Sequence, residues 1–249
     1  MREMCYRCFW PRPLCWCSAL VPMNTRTRFL FLLSPKEFKE EKAGTGRLTQ
    51  ISLANSSLHM ARGKGFDDHA PVQAVLQDPQ NYCVLLYPGA AATNLSEPLQ
   101  VPIFKGALGT RRLVVILLDA TWSGARKLLF HSPSLQRLPR IMFNPSAPSR
   151  FIIKQQPQEG CLSTLEATHE LLLVLEGTGL DHYERPEQLL AVFKRMQDFQ
   201  LQCAADPNRP GYRRRAYSDP ATRRPSGGDR PARRDNFMPK PLGPYQVSE

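Results

Sequence analysis

The strongest constraint on the fold is six consecutive apolar residues, Leu113 to Leu118, inside the segment "RLVVILLDA". A strand wetted on one face alternates apolar and polar side chains, so an uninterrupted run implies burial on both faces. Two more segments read the same way, "RTRFLFLLS" (Arg26 to Ser34) and "YCVLLYP" (Tyr82 to Pro88). Helical patterns lie between and after them. "RLTQISLANSSL" (Arg47 to Leu58) carries Leu48, Ile51 and Leu58 on a helical face, and a helix is expected from about Ser123 to His131. Short strands are expected around Arg140 to Phe143 and Arg150 to Gln155. "STLEATHELLLVLEG" opens with Ser163 three residues before Glu166, the spacing of a capping box, and closes at Gly177. "ERPEQLLAVFKRMQDFQLQC" places Leu189, Leu190, Val192, Phe193, Met196 and Phe199 on one face, with Pro186 in the first turn. Buried strands separated by helices define an α/β protein with a mostly parallel sheet. No internal repeat is visible.

Charge narrows the partners. The 249 residues include 33 Lys and Arg against 22 Asp and Glu, a net +11, which favours a polyanion. Nucleic acid is the better expectation than an anionic membrane, because no basic amphipathic helix or lipidation motif is present. No run approaches the ~18 to 20 apolar residues of a membrane span. The N-terminal "MREMCYRC" has no apolar core of a secretory signal, so a cytoplasmic, thiol-reducing setting is expected. Residues 204–249 form a tail rich in proline, glycine and arginine with no apolar periodicity, read as a disordered basic extension.

Four of the seven cysteines, Cys5, Cys8, Cys15 and Cys17, fall in "CYRCFWPRPLCWC". Two close pairs of thiolates suit a tetrahedral Zn²⁺ and would order a segment, residues 1–24, too short for a core of its own. A redox pair and fortuitous clustering are the alternatives. Four thiolates leave no open coordination position, which points to structural rather than catalytic zinc. Cys83, inside a strand, reads as a core thiol, and His59, His69, His131, His169 and His182 fall at no metal-ligand spacing.

Asp119 ends the most apolar strand, where parallel sheets place functional carboxylates. Its alternative is a structural acid satisfying backbone N–H groups, with Trp122 in the core and Thr121 or Ser123 as a helix cap. Arg47, Arg126, Lys127, Arg137, Arg140, Arg150 and Lys154 are candidate phosphate contacts.

Taken in order, "CYRC…CWC", "LSPKEFKEEKAGTGRL", "LLYPG", "LDATWSGARKLL", "LQRLPRIMF" and "CLSTLEA" resemble the DTW-domain family, whose Asp-x-Thr-Trp motif is here Asp119, Thr121 and Trp122. The N-terminal cysteines most resemble its bacterial branch. The resemblance implies a catalytic domain over residues 25–203 with a knotted, SPOUT-like core. It further implies transfer of the 3-amino-3-carboxypropyl group of S-adenosylmethionine to N3 of a tRNA uridine, with Asp119 as the base. Pro88, Gly89, Thr121, Trp122, Leu162, Ser163 and Thr164 then fall on the cofactor side, and Arg47, Arg126, Lys127 and Arg140 on the RNA side. Thr45 and Gly46 join Arg47 near the substrate. Ser34 stands where relatives often carry histidine, leaving Glu37 as the comparable acid. Plain helix capping is the other reading of Ser163 and Thr164, and an ordinary turn that of Pro88 and Gly89. A SPOUT-type RNA methyltransferase and a non-catalytic zinc-containing RNA-binding protein are the rival functions. Oligomeric state is left open.

Overall fold

The computed structural model describes residues 3–206 apart from 11, 13–14, 16, 36–37, 39–43, 62–64 and 154–159, together with Asn208. Glu37, Lys154 and the expected basic tail other than residues 204–206 and Asn208 therefore lie outside the described residues, and Ala204 and Ala205 of that tail belong to the last helix.

Six strands form one sheet: β1 (Arg28–Leu33), β2 (Ser56–Met60), β3 (Asn81–Leu86), β4 (Thr93–Asn94), β5 (Arg112–Leu118) and β6 (Arg140–Met142). Their order is β2-β1-β5-β3-β6-β4, and each neighbouring pair is parallel. Among the described residues seven α-helices connect and cover them: α1 (Thr45–Ser52), α2 (Ala70–Gln77), α3 (Gln100–Leu108), α4 (Trp122–Phe130), α5 (Pro133–Gln136), α6 (Thr164–Gly177) and α7 (Pro186–Ala205). None is long and apolar enough to cross a membrane.

The burial of both sheet faces explains the unbroken apolar runs. Phe29, Phe31, Val115 and Leu117 pack on one side with α1, α6 and α7, while Leu30, Leu32, Val114 and Ile116 pack on the other with α2 and α4. Successive side chains of a strand point to opposite faces, so a strand sandwiched between helix layers has no position for a polar residue. Cys83 is in the second layer as expected, its thiol donating to the Val75 carbonyl at 3.5 Å.

Several expectations are corrected. The helix read over Arg47 to Leu58 ends at Ser52, and Leu58 belongs to β2 at the sheet edge. The Ser56 hydroxyl stops that helix by donating to the Gln50 and Leu53 carbonyls, both at 2.7 Å. No strand forms over Arg150 to Ile153. Its backbone is held by side chains instead of a neighbouring strand: the Arg150 N–H donates to Glu166 at 2.5 Å and the Ile152 N–H to Gln197 at 2.5 Å. His69, at the N-cap position of α2, and His169 are buried, and His169 Nδ1 lies 3.0 Å from the Tyr183 hydroxyl.

The capping box of α6 is present in full. Ser163 Oγ accepts from the Glu166 N–H, and the Glu166 carboxylate accepts from the Ser163 N–H at 2.9 Å. Residues of the cysteine segment reach the main core, with Trp10 edge-on to Phe199 of α7 at 5.5 Å between ring centres.

Candidate active site and metal centre

The carboxyl ends of the adjacent strands β5, β3 and β6 open into a cavity of about 320 Å³, a volume within the range of small-molecule sites. Leu86, Tyr87 and Pro88 line it from β3, Leu117, Leu118 and Ala120 from β5, and Met142 and Phe143 from β6. The segment Gly160 to Leu162 and the start of α6, with Thr164 and Ala167, form the facing wall. Tyr87 and Trp122 meet edge to face at 6.0 Å within this lining. The Arg140 guanidinium lies 5.4 Å from the Tyr87 ring centre, so one of the expected RNA-side cations adjoins the cavity.

Asp119 sits between two lining residues and half-buried. Its N–H donates to the Leu32 carbonyl at 2.8 Å, continuing the β1–β5 ladder past the strand end. Its Oδ1 accepts from the Thr164 hydroxyl at 2.7 Å, joining the motif acid to the helix that closes the cavity. On its other side the carboxylate lies against the first turn of α1: a Cβ built on Gly46 would fall 2.3 Å from Asp119 Cγ. A helix N-terminus carries partial positive charge, which favours the ionised carboxylate. The first turn of α1, within "GTGRL", is thus the close-approach surface for Asp119.

Arg47 follows Gly46 in that turn. Burial pulls its pKa below the usual arginine value, opposed first by Asp119 and then by Cys8. Its guanidinium carbon lies 4.2 Å from the Phe9 ring centre and 4.5 Å from that of Phe38. Arg126 and Lys127 are exposed on α4.

Of the residues expected on the cofactor side, Pro88, Trp122, Leu162 and Thr164 line the cavity. Thr121 caps α4, accepting from the Gly124 N–H at 3.2 Å. Ser163 is engaged by Glu166, and Gly89 accepts the Ala92 N–H in a turn at 2.9 Å. Tyr87, Met142, Phe143 and Cys161 were missed. The proximity of β3 and β6 that gathers them is a property of strand order, which local pattern does not carry.

The four N-terminal thiols come together, all within 4.8 Å of one another. Cys5 Sγ lies 3.8 Å from Cys17 Sγ, and Cys8 Sγ 3.7 Å from Cys15 Sγ. Ligands about 2.3 Å from a tetrahedral ion are about 3.8 Å apart, so this donor set fits zinc. Backbone N–H groups of Cys8 and then Arg7 lower the Cys5 pKa to about 6, whereas burial and the neighbouring thiols push Cys17 up. A bound cation would take the place of the thiol protons.

The chain belongs to the DTW-domain family, whose model matches residues 2–201. It is 34% identical over 180 residues to tRNA-uridine aminocarboxypropyltransferase 2 of Drosophila melanogaster, covering 70% of this chain and 67% of that protein. The Mus musculus protein of the same name is 31% identical over 208 residues, covering 82% of this chain and 65% of the relative. Arabidopsis thaliana tRNA-uridine aminocarboxypropyltransferase A is 26% identical over 218 residues, 80% of this chain and 81% of that protein. The chain thus spans about two thirds of the length of the fly and mouse proteins. No solved structure matches it significantly.

Proposed function

We infer that this chain is a tRNA-uridine aminocarboxypropyltransferase, using S-adenosylmethionine as donor and N3 of a tRNA uridine as acceptor. The observation that carries the reading is Asp119, held by Thr164 at the lip of a cavity built on strand ends, in a chain whose relatives bear that name. S-adenosylmethionine supplies a sulfonium, which makes its aminocarboxypropyl carbon electrophilic without further activation. Tyr87, Trp122 and the aliphatic strand ends offer an apolar wall for its adenosine. Asp119 accepts the N3 proton of the uridine, whose weak acidity makes a positioned base necessary. Thr164 keeps the carboxylate oriented through its hydrogen bond to Oδ1. The cavity's task is to present the side-chain carbon, rather than the methyl, in line with N3, so that the N3–C bond forms as the C–S bond breaks and 5′-methylthioadenosine leaves.

The remaining organisation belongs to the same reading. Cys5, Cys8, Cys15 and Cys17 hold a structural zinc in a segment over residues 1–24, followed by a catalytic domain over 25–203 with a SPOUT-like knot. Arg47, Arg126, Lys127 and Arg140, with the basic residues of 204–249, attract the tRNA backbone. The likeness to the bacterial branch rests on the four cysteines.

Nucleoside mass spectrometry of unmodified tRNA incubated with the protein and S-adenosylmethionine tests this. Aminocarboxypropyl-uridine with wild type, and little with Asp119→Asn, is expected. A methyl-uridine product would establish the methyltransferase instead, and bound but unmodified tRNA the non-catalytic binding protein.

A further inference from the structure

We propose that Phe9 is a positioning residue of the catalytic centre, through which the folded cysteine segment holds Arg47 beside Asp119. The inference rests on the transferase and zinc readings above.

Phe9 follows Cys8 directly and is a non-glycine residue with positive φ, at 57°. Such a backbone is costly for a bulky side chain and persists only where surrounding bonds enforce it. Here its N–H donates to the Cys5 carbonyl at 2.7 Å, and the Cys5 N–H donates to the Trp10 carbonyl at 2.7 Å. The turn thus lies between two of the four thiols, where metal ligation would fix it most firmly. Its product is the direction of one ring. That ring meets Phe38 edge to face at 5.3 Å, and the Arg47 guanidinium occupies the corner between them, 4.2 and 4.5 Å from the two centres. A cation over two perpendicular aromatic faces is attracted by both ring quadrupoles. Arg47 is in turn the residue after Gly46, whose Cα lies against the Asp119 carboxylate. The path from the thiols to the base is therefore continuous: Cys5 and Cys8, Phe9, Arg47, the first turn of α1, Asp119. It gives the cysteine segment a part in the reaction that stability alone would not require, since Trp10 and Met23 already dock it on the core.

The test uses the full-length, zinc-loaded chain and follows the Arg47 Nε–Hε resonance, assigned by its loss in Arg47→Lys. The proposal expects a ring-current-shifted resonance that moves to the ordinary position on chelation of the metal. It expects the same in Phe9→Leu with zinc content preserved, together with a roughly two- to fivefold fall in kcat, the scale of a solvent-exposed cation–π contact. Phe38→Leu tests the same corner without altering the cysteine turn and is expected to shift the resonance partway. A resonance that stays shifted after chelation, or in Phe9→Leu, overturns the proposal, as does an unchanged kcat in Phe9→Leu. The transferase reading fails separately, when the wild-type chain shows the metal-dependent shift but forms no aminocarboxypropyl-uridine.

Discussion

Gly46 and Asp119 approach so closely that a Cβ on the glycine would lie 2.3 Å from the aspartate's carboxyl carbon. Residues 73 positions apart in sequence thus set each other's placement: the backbone of α1 is a wall against which the motif acid rests.

Helix propensity and sterics make opposite forecasts for Gly46→Ala, which separates them cleanly. Alanine in an unobstructed helical position would stabilise by roughly 0.5–1 kcal/mol. At this site Asp119 has to move, and a displacement of about 1 Å can cost about 100-fold in rate. We expect kcat to fall by about that factor and Tm not to rise, checked by single-turnover kinetics and thermal melts.

Thr164→Val removes the hydroxyl that donates to Asp119 at 2.7 Å while keeping the shape of the side chain. A hydrogen bond to a charged group contributes roughly 1.5–3 kcal/mol, less at a half-exposed site, so kcat should fall about tenfold. Thr164→Ser, which restores the hydroxyl, is expected to recover most of it.

Glu166 is 4% exposed and accepts from the Ser163 N–H and hydroxyl, the Ser149 hydroxyl and the Arg150 N–H. Glu166→Gln turns one acceptor oxygen into a donor that faces other donors. A loss of roughly 1–3 kcal/mol in denaturant unfolding is expected. Calorimetry should also find weaker S-adenosylmethionine binding, because the carboxylate ties the segment before the cavity wall to α6.

Burial lowers the pKa of both His59 and His169 from 6.5. A base whose folded pKa is depressed contributes stability above the unfolded pKa and loses it as pH falls, because the unfolded chain takes up protons first. Tm is expected to decline as pH drops below about 6.5, with a shallower decline in His169→Gln. Cys83 gives the opposite limb. Its burial raises the thiol to about 11, so its contribution is lost as pH climbs from 9 toward that value. A thermal melt series across pH 5 to 11 reads both limbs.

What the sequence disclosed follows from which forces are local. The runs at Phe29–Leu33 and Leu113–Leu118 were legible because burial on both sides leaves a pattern within six or seven residues. The Ser163–Glu166 box was legible because capping is decided within one turn. β2 was not, since its "SSLHM" owes its strand state to pairing with β1 rather than to its own apolarity. β4 is only two residues long, beneath any periodicity. Asp119 could be singled out as the end of an apolar strand, but its partners Gly46 and Thr164 come from helices elsewhere in the chain. The role of Phe9 had no local signal, because a ring between cysteines looks the same whether it faces solvent or an arginine.

The tie between Arg150–Ile152 and the two last helices orders events during synthesis. Every strand of the sheet has been made once Met142 is translated, yet the facing wall of the cavity needs Gly160 to Ala167, and the backbone leading into it is fastened by Glu166 and by Gln197. A nascent chain emerging from the ribosome would therefore carry a sheet with Asp119 in place but no enclosed cavity until α7 had followed it out. Closure of the cavity would thus trail completion of the sheet by the whole stretch from Met142 to α7.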